Sequence, residues 1–248
     1  MNTLYYFVDE TYTTHDGFLH CNIGGAIVPS DQIVDLEVEL ESALREVAQV
    51  QRFEYTQAEF KSSSFFPNVS DSSKLEIAAA LARRFAARSV PLLVSHTCVR
   101  KDRLDPVVRA FGTPQQAIQH FAQFNVPQHL AELTSSNIVQ IIADLGLSES
   151  FRPTYNVYAS TVGSIPMVKA HGVPDAAITV PNWKRLPKAV FLDSKDSRVL
   201  QFSDLVVGLN LSERLGTLSA FKRSLLDALA PIQSLLRVKS VEWNRDDA

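Results

Sequence analysis

The chain has few cysteines, and it lacks the long apolar run that a membrane protein needs. Its two cysteines, Cys21 and Cys98, each lie within an apolar, strand-like run. A disulfide framework or a thiolate zinc site is therefore not expected. No apolar run approaches the roughly 20 residues of a membrane helix, and the first residues lack the basic segment and apolar core of a signal peptide. We therefore expect a cytoplasmic protein with no membrane partner.

Two further absences argue against particular enzyme classes. No glycine-rich loop is followed by Gly-Lys-Ser or Gly-Lys-Thr, which argues against a P-loop phosphotransferase. The six histidines are scattered, with no pair at the spacing of zinc ligands on a helix, which argues against a zinc hydrolase. A net charge of −3 neither requires nor excludes nucleic acid as a partner.

What the chain does contain is an alternation of strand-like and helix-like patterns over 248 residues, 46% of them hydrophobic. This predicts an α/β fold in a single domain of residues 1–248. Because both faces of the first strand are apolar, we expect that strand to be central. The prolines and glycines between 148 and 187 predict turns and short strands, interpreted as an elaborated connection before the last core strand. The predicted strands are 3–8, 18–28, 90–99, 137–143, 190–192 and 238–243, and the predicted helices are 32–51, 74–88, 117–133, 220–236 and one that follows Asp196.

The stretch 190–205 joins a short apolar strand to an unusually apolar helix. Turn and cap residues separate the two, and Asp204 lies at the margin of the apolar helix face. A buried, ionised carboxylate is costly unless a cation or several hydrogen-bond donors meet it. Either a bound cation or a salt bridge to Lys195 or Arg198 would account for Asp204.

Acidic residues also follow three predicted strands. Asp9, Asp144 and Asp193 come at the ends of strands that would lie about 4.8 Å apart. Carboxylates so close repel one another, and a divalent cation reverses that effect. Oxygen ligands without cysteine or clustered histidine favour Mg²⁺ or Mn²⁺. As alternatives, Asp9 and Asp144 would be turn residues, and Asp193 and Asp196 are better explained as helix caps.

Two motifs at opposite ends of the chain resemble a known family. Tyr-Tyr-Phe-Val-Asp-Glu occupies residues 5–10, and Leu-Asp-Ser-Lys-Asp-Ser at 192–197 precedes Leu-Gln-Phe-Ser-Asp-Leu-Val-Val-Gly at 200–208. Together they resemble the bacterial and phage family called domain of unknown function 3800 (DUF3800). The resemblance spans essentially the whole chain. It departs from the family at Thr11 and Ser203, where serine and alanine are usual.

That family is similar to the ribonuclease-H-like superfamily, which implies a mixed central β-sheet flanked by α-helices and a two-metal acidic site. The resemblance places Asp9 as the acid on the first strand, Asp144 as the acid on a later parallel strand, and Asp204 as the acid on the closing helix. It implies two Mg²⁺ or Mn²⁺ ions, bridged by Asp9, with Asp144 and Asp204 holding one each.

Other residues are second candidates for this site. Glu10, Glu54 and Asp193 are further possible acids, and Lys195 is a candidate to neutralise the leaving oxyanion. Aromatic residues of the proline-rich connection are candidates for stacking on bases, although loop packing explains them equally: Tyr155, Tyr158 and Trp183.

The function implied is metal-dependent hydrolysis of phosphodiester bonds in nucleic acid, in phage defence or a mobile element. Whether the substrate is DNA or RNA stays open. The alternative is a non-catalytic accessory protein of the same fold that binds nucleic acid or a partner protein, with the acids serving structure. A protein partner or a homo-oligomer is compatible with either function.

Overall fold

The computed structural model describes residues 3–53, 69–101, 113–119, 122, 139–147 and 189–243. These residues form an α/β structure with one mixed six-stranded sheet. The strands are β1 (Leu4–His15), β2 (Phe18–Pro29), β3 (Leu92–Arg100), β4 (Val139–Asp144), β5 (Val190–Leu192) and β6 (Leu236–Trp243). The helices with defined bounds are α1 (Ile33–Gln51), α2 (Asp71–Ala87), α3 (Arg198–Arg214) and α4 (Ala220–Ala228).

The sheet order is β5-β4-β1-β2-β3-β6, which confirms that the first strand lies in the interior of the sheet. Strands β1, β2 and β3 are antiparallel neighbours. Strand β4 runs parallel to β1, β5 runs parallel to β4, and β6 runs parallel to β3. The α/β prediction and the mixed sheet are thus confirmed.

The first two strands form a longer hairpin than the sequence pattern predicts. The turn is at Asp16 and Gly17, whose φ angles of 49° and 81° both lie in the left-handed region that two-residue hairpin turns use. Strand β1 continues to His15, because β2 pairs with it as far as Phe18. Asp9 therefore lies within β1 and not at its end, which corrects the predicted strand boundary.

Side chains of β1 alternate between two apolar layers. Phe7 packs with α1, α2, α3 and α4 on one side of the sheet, which we call the α3 face. Tyr6 and Val8 pack on the other side, where Ala117, Ile118 and Ala122 cover them. The period of two along a strand sets which residues can meet at a site.

The C-terminal helix is shorter than predicted. Helix α4 ends at Ala228, and a 3₁₀ segment, Ala230–Leu235, follows it with Pro231 in its first turn. Proline lacks the N–H that an α-helix interior requires, so the α-helix does not continue. Strand β6 then forms one edge of the sheet, as predicted.

Several predictions fall outside the described residues. The connection 148–187 and the later part of the predicted helix 117–133 lie there, as do Glu54, Tyr155, Tyr158 and Trp183. Within the residues that the structure does describe, no helix has both the length and the apolar character needed to span a membrane.

Candidate functional site

Asp9 and Asp144 lie side by side on the α3 face. The parallel pairing of β1 with β4 ends at Val8 opposite Ala143, and each aspartate is the next residue of its strand. Two residues earlier, Phe7 and Ile142 pack in the core of the α3 face. Because side chains alternate along a strand, the two aspartates point to that same face.

Glu10 follows Asp9 but points to the opposite face of the sheet. Its Oε1 accepts a hydrogen bond from Gln119 Nε2, while Oε2 is buried without a partner among the described residues. The Glu10 backbone N–H donates to Asp9 Oδ1 at 2.6 Å. The Asp-Glu pair is therefore divided between two faces, and only Asp9 lies on the side of Asp144.

Helix α3 brings Asp204 to this face through a close contact of the preceding residue. Ser203 Oγ accepts a hydrogen bond from the Ala26 N–H at 3.2 Å and donates one to the Val199 carbonyl at 2.9 Å. The approach requires Gly25, because a Cβ there would collide with Ser203 and with the Phe7 carbonyl. Ser203 thus holds the helix turn that carries Asp204 against the sheet.

The N-terminus of α3 is held by a carboxylate from α1. Glu37 accepts hydrogen bonds from Ser197 Oγ at 2.5 Å, from the Arg198 N–H at 2.8 Å and from the Val199 N–H at 3.3 Å. Free N–H groups and the helix dipole both favour a negative charge at this end of a helix. Sequence reasoning missed Glu37 because it lies 160 residues from the helix that it caps.

The predicted caps before α3 are partly confirmed. Asp193 caps the 3₁₀ segment Ser194–Asp196 by accepting from the Lys195 N–H at 3.1 Å. The prediction that Asp196 is also a cap is wrong, because Ser197 is the N-cap of α3. Its hydroxyl accepts from the Leu200 N–H at 3.1 Å.

Two further candidate residues, Asp193 and Lys195, contact each other just after β5. The Asp193 carboxylate accepts the hydrogen bond that caps the 3₁₀ segment. Lys195 Nζ lies 4.0 Å from Asp193 Oδ2, and 65% of the Lys195 side chain is exposed. Arg198, one of the two cations weighed as a partner of Asp204, bonds Glu41 with its Nε at 3.0 Å.

Asp9, Asp144 and Asp204 interact electrostatically as one group. Burial raises the pKa of Asp9 well above its usual range, and the negative charges of Asp204, Asp144 and Glu10 raise it further. The hydrogen bond from the Glu10 N–H opposes this shift and lowers the pKa of Asp9. Asp9 and Asp144 thus share one face of the sheet, and the charge of Asp204 acts on Asp9. That the three carboxylates form one site stays a prediction.

The donor chemistry of this carboxylate group fits a hard divalent cation. Carboxylate oxygens are the ligands that Mg²⁺ and Mn²⁺ prefer. Among the described residues, however, no group of three or more His, Cys, Asp or Glu is arranged so as to hold a metal ion. Mutual repulsion keeps carboxylates apart when no cation is bound. Metal binding would therefore require Asp9, Asp144 and Asp204 to draw closer together.

Replacing Glu10 by glutamine should change how stability depends on pH in the metal-free protein. Burial and then the charge of Asp144 raise the pKa of Glu10 from 4.5 to about 7, against the lowering effect of Gln119. The folded state then holds a proton that the unfolded state has lost, so Glu10 makes stability fall as pH rises from about 4.5 to 7. Glu10→Gln should remove up to about 3 kcal/mol of that fall.

Urea unfolding in EDTA at pH 4.5, 6 and 8 measures this effect. Glu39→Gln is the control, because the hydrogen bond from Arg88 lowers the pKa of Glu39 and the stability linked to it is lost as pH falls. Equal pH dependence in Glu10→Gln and the unmodified protein would contradict the prediction.

No protein-family model matches the chain, and neither a curated protein nor a solved structure matches it. The resemblance to family 3800 therefore stays a prediction.

Proposed function

We propose that the chain is a metal-dependent nuclease of ribonuclease-H-like fold, related to family 3800 and acting on DNA or RNA in phage defence or a mobile element. The observation that supports this most is the position of Asp9 and Asp144 on one face of adjacent parallel strands, electrostatically coupled to Asp204 of the helix packed on that face. Their order along the chain is the order that the family resemblance implies.

In this proposal, Asp9, Asp144 and Asp204 are the ligands of one or two Mg²⁺ or Mn²⁺ ions. When bound, such ions supply the positive charge that stabilises a phosphorane-like transition state and activate the attacking water. The raised pKa of Asp9 supports this role, because a bound cation would offset the negative charges of Asp204 and Asp144 that help to raise it.

The rest of the chain would position these ligands. The Glu10 N–H orients the Asp9 carboxylate through Oδ1, and Glu37 and Ser203 fix the helix that carries Asp204. These contacts would limit how far the carboxylates have to move when a cation draws them together, which reduces the entropy lost on binding.

Titration with Mn²⁺ tests the metal site directly. A ligand that binds only the folded state at 100 times its Kd raises the free energy of unfolding by about 2.7 kcal/mol. We expect stabilisation of that order in the unmodified protein and its loss in Asp204→Asn. Asp193→Asn is the matched control, because its carboxylate caps a 3₁₀ turn.

Cleavage assays on single- and double-stranded DNA and RNA, with Mn²⁺ or with EDTA, test the activity. Metal-dependent cleavage of any of these substrates supports the nuclease. If Mn²⁺ at millimolar concentration produced no heat of binding and no thermal stabilisation, that result would favour the non-catalytic accessory protein.

A further inference from the structure

A groove lies between α1 and α2, which pack side by side in opposite directions. Near one end of the groove, Ser73 Oγ donates a hydrogen bond to Gln51 Oε1 at 3.3 Å. Beyond the other end, Arg88 Nε donates to Glu39 Oε2 at 3.3 Å. The cavity between the helices has a volume of about 460 Å³, and the described residues that line it all belong to α1 and α2.

The middle of this groove is apolar. Ala80 of α2 lines it with 9% of its surface exposed, and Val47 of α1 lines it partly buried. Val50, about one turn further along α1, also lines the groove but is 76% exposed. A single exposed valine would need no explanation. An apolar middle surrounded by charged side chains is, however, the composition of a protein–protein interface.

The charged side chains of the groove include one of each sign that is left over. Glu46 of α1 and Arg84 of α2 pair with each other, with Glu46 Oε2 3.5 Å from Arg84 Nη2. Glu76 and Arg83 of α2 also line the groove, and both are exposed. Neither of them has an ion-pair partner within the residues that the structure describes.

Glu76 and Arg83 lie on either side of Ala80 along one face of α2. Glu76 is four residues before Ala80 and Arg83 is three residues after it, and these spacings keep the three side chains on the same side of a helix. A two-fold interface brings the same patch of two copies together, so the patch must complement itself. If two α2 helices lie antiparallel about an axis near Ala80, each Glu76 is opposite Arg83 of the other copy.

The face formed by α1 and α2 is large enough for a weak dimer. The helices have 19 and 17 residues, so each is at least about 25 Å long, and side by side they are about 20 Å wide. Two such faces in contact would bury about 1,000 Å² in total, which is near the lower limit for a specific interface. Association through this face is therefore expected to be reversible.

We propose that the α1–α2 groove is a homodimer interface in which α2 packs antiparallel against α2 of a second copy. Val47, Val50 and Ala80 form the apolar centre of this interface. Two ion pairs between Glu76 and Arg83, one on each side of the two-fold axis, flank that centre. The carboxylates of the proposed metal site do not line the groove, so dimerisation does not depend on a bound ion.

Sedimentation of the whole chain in EDTA, over a wide range of micromolar concentrations, tests this interface. We expect an equilibrium between monomer and dimer. Glu76→Arg and Arg83→Glu should each raise the dimer dissociation constant at least about tenfold, because each substitution places like charges opposite one another at two positions. Arg223→Glu is the matched control, since Arg223 is also an exposed helical arginine but lies in α4, outside the groove.

A mixture of the two variants distinguishes a two-fold interface from a loss of structure. A Glu76→Arg chain and an Arg83→Glu chain present opposite charges to each other at both positions. Their mixture should therefore dimerise about as tightly as the unmodified protein, although each variant alone associates weakly. If the unmodified chain stays monomeric, the proposal is wrong and the groove is left to a different partner. A dimer that neither substitution weakens, or a mixture that associates no better than its components, would also overturn it.

Discussion

Under the nuclease function proposed above, Asp9→Asn is expected to abolish divalent-dependent cleavage and at the same time to stabilise the metal-free protein at neutral pH. If Asp9 bridges the ions, its loss removes several kcal/mol of transition-state stabilisation, so the rate should fall at least about a thousandfold. The stabilisation has a separate origin. Burial and the charges of Asp204 and Asp144 raise the pKa of Asp9, so the folded state keeps a proton that the unfolded state releases, and stability falls as the pH rises above the unfolded pKa.

Cleavage rates with Mn²⁺ and unfolding curves in EDTA measure the two effects. Asp16→Asn is the matched control, because Asp16 lies in the same hairpin at a left-handed turn position that asparagine also tolerates. Undiminished cleavage in Asp9→Asn would refute the assignment of Asp9. If the unfolding midpoint of Asp9→Asn in EDTA were unchanged or lowered, the electrostatic explanation of its stability would be wrong, even if cleavage activity were lost.

Gly25→Ala is expected to destabilise the protein by at least about 3 kcal/mol or to prevent folding. Gly25 has φ of 152°, a conformation that side chains rarely adopt, and a Cβ there would collide with both the Phe7 carbonyl and Ser203. Neither the Phe7 carbonyl nor Ser203 can move without disrupting the packing around it. The Phe7 carbonyl belongs to the backbone of an interior strand, and Ser203 lies in a helix packed on the sheet.

Urea unfolding of Gly25→Ala and Gly216→Ala separates collision from backbone strain. Gly216 also has a positive φ, 66°, but a Cβ there meets nothing within 4 Å. The control should cost only about 1 to 2 kcal/mol. Equal effects at both glycines would show that the close approach of α3 to the sheet at Gly25 contributes little.

Much of the candidate site follows from local sequence. An apolar run followed by an acid singled out Asp9 and Asp144 as candidates, although Asp9 lies within β1 and not at its end. An acid at the margin of an apolar helix singled out Asp204. These patterns depend on side-chain periodicity and on the cost of burying charge, both of which a single chain segment displays. The separation of Asp9 from Glu10 was equally readable, because neighbours on a strand point to opposite faces.

What local sequence does not display is pairing between distant segments. The extension of β1 to His15 depends on β2, and the capping of α3 depends on Glu37 of α1. The contact between the rings of His20 and His96 requires two strands 76 residues apart to lie in register.

By itself, the sequence determined the α/β class and the hairpin turn at Asp16 and Gly17, and it predicted which acids would share a site. Tertiary structure alone decided which face each acid occupies beside α3, and why Gly25 and Ser203 face each other. The reason is physical. Propensity and periodicity act over a few residues, whereas register, close approach and the desolvation of a charge depend on what the rest of the chain places beside it.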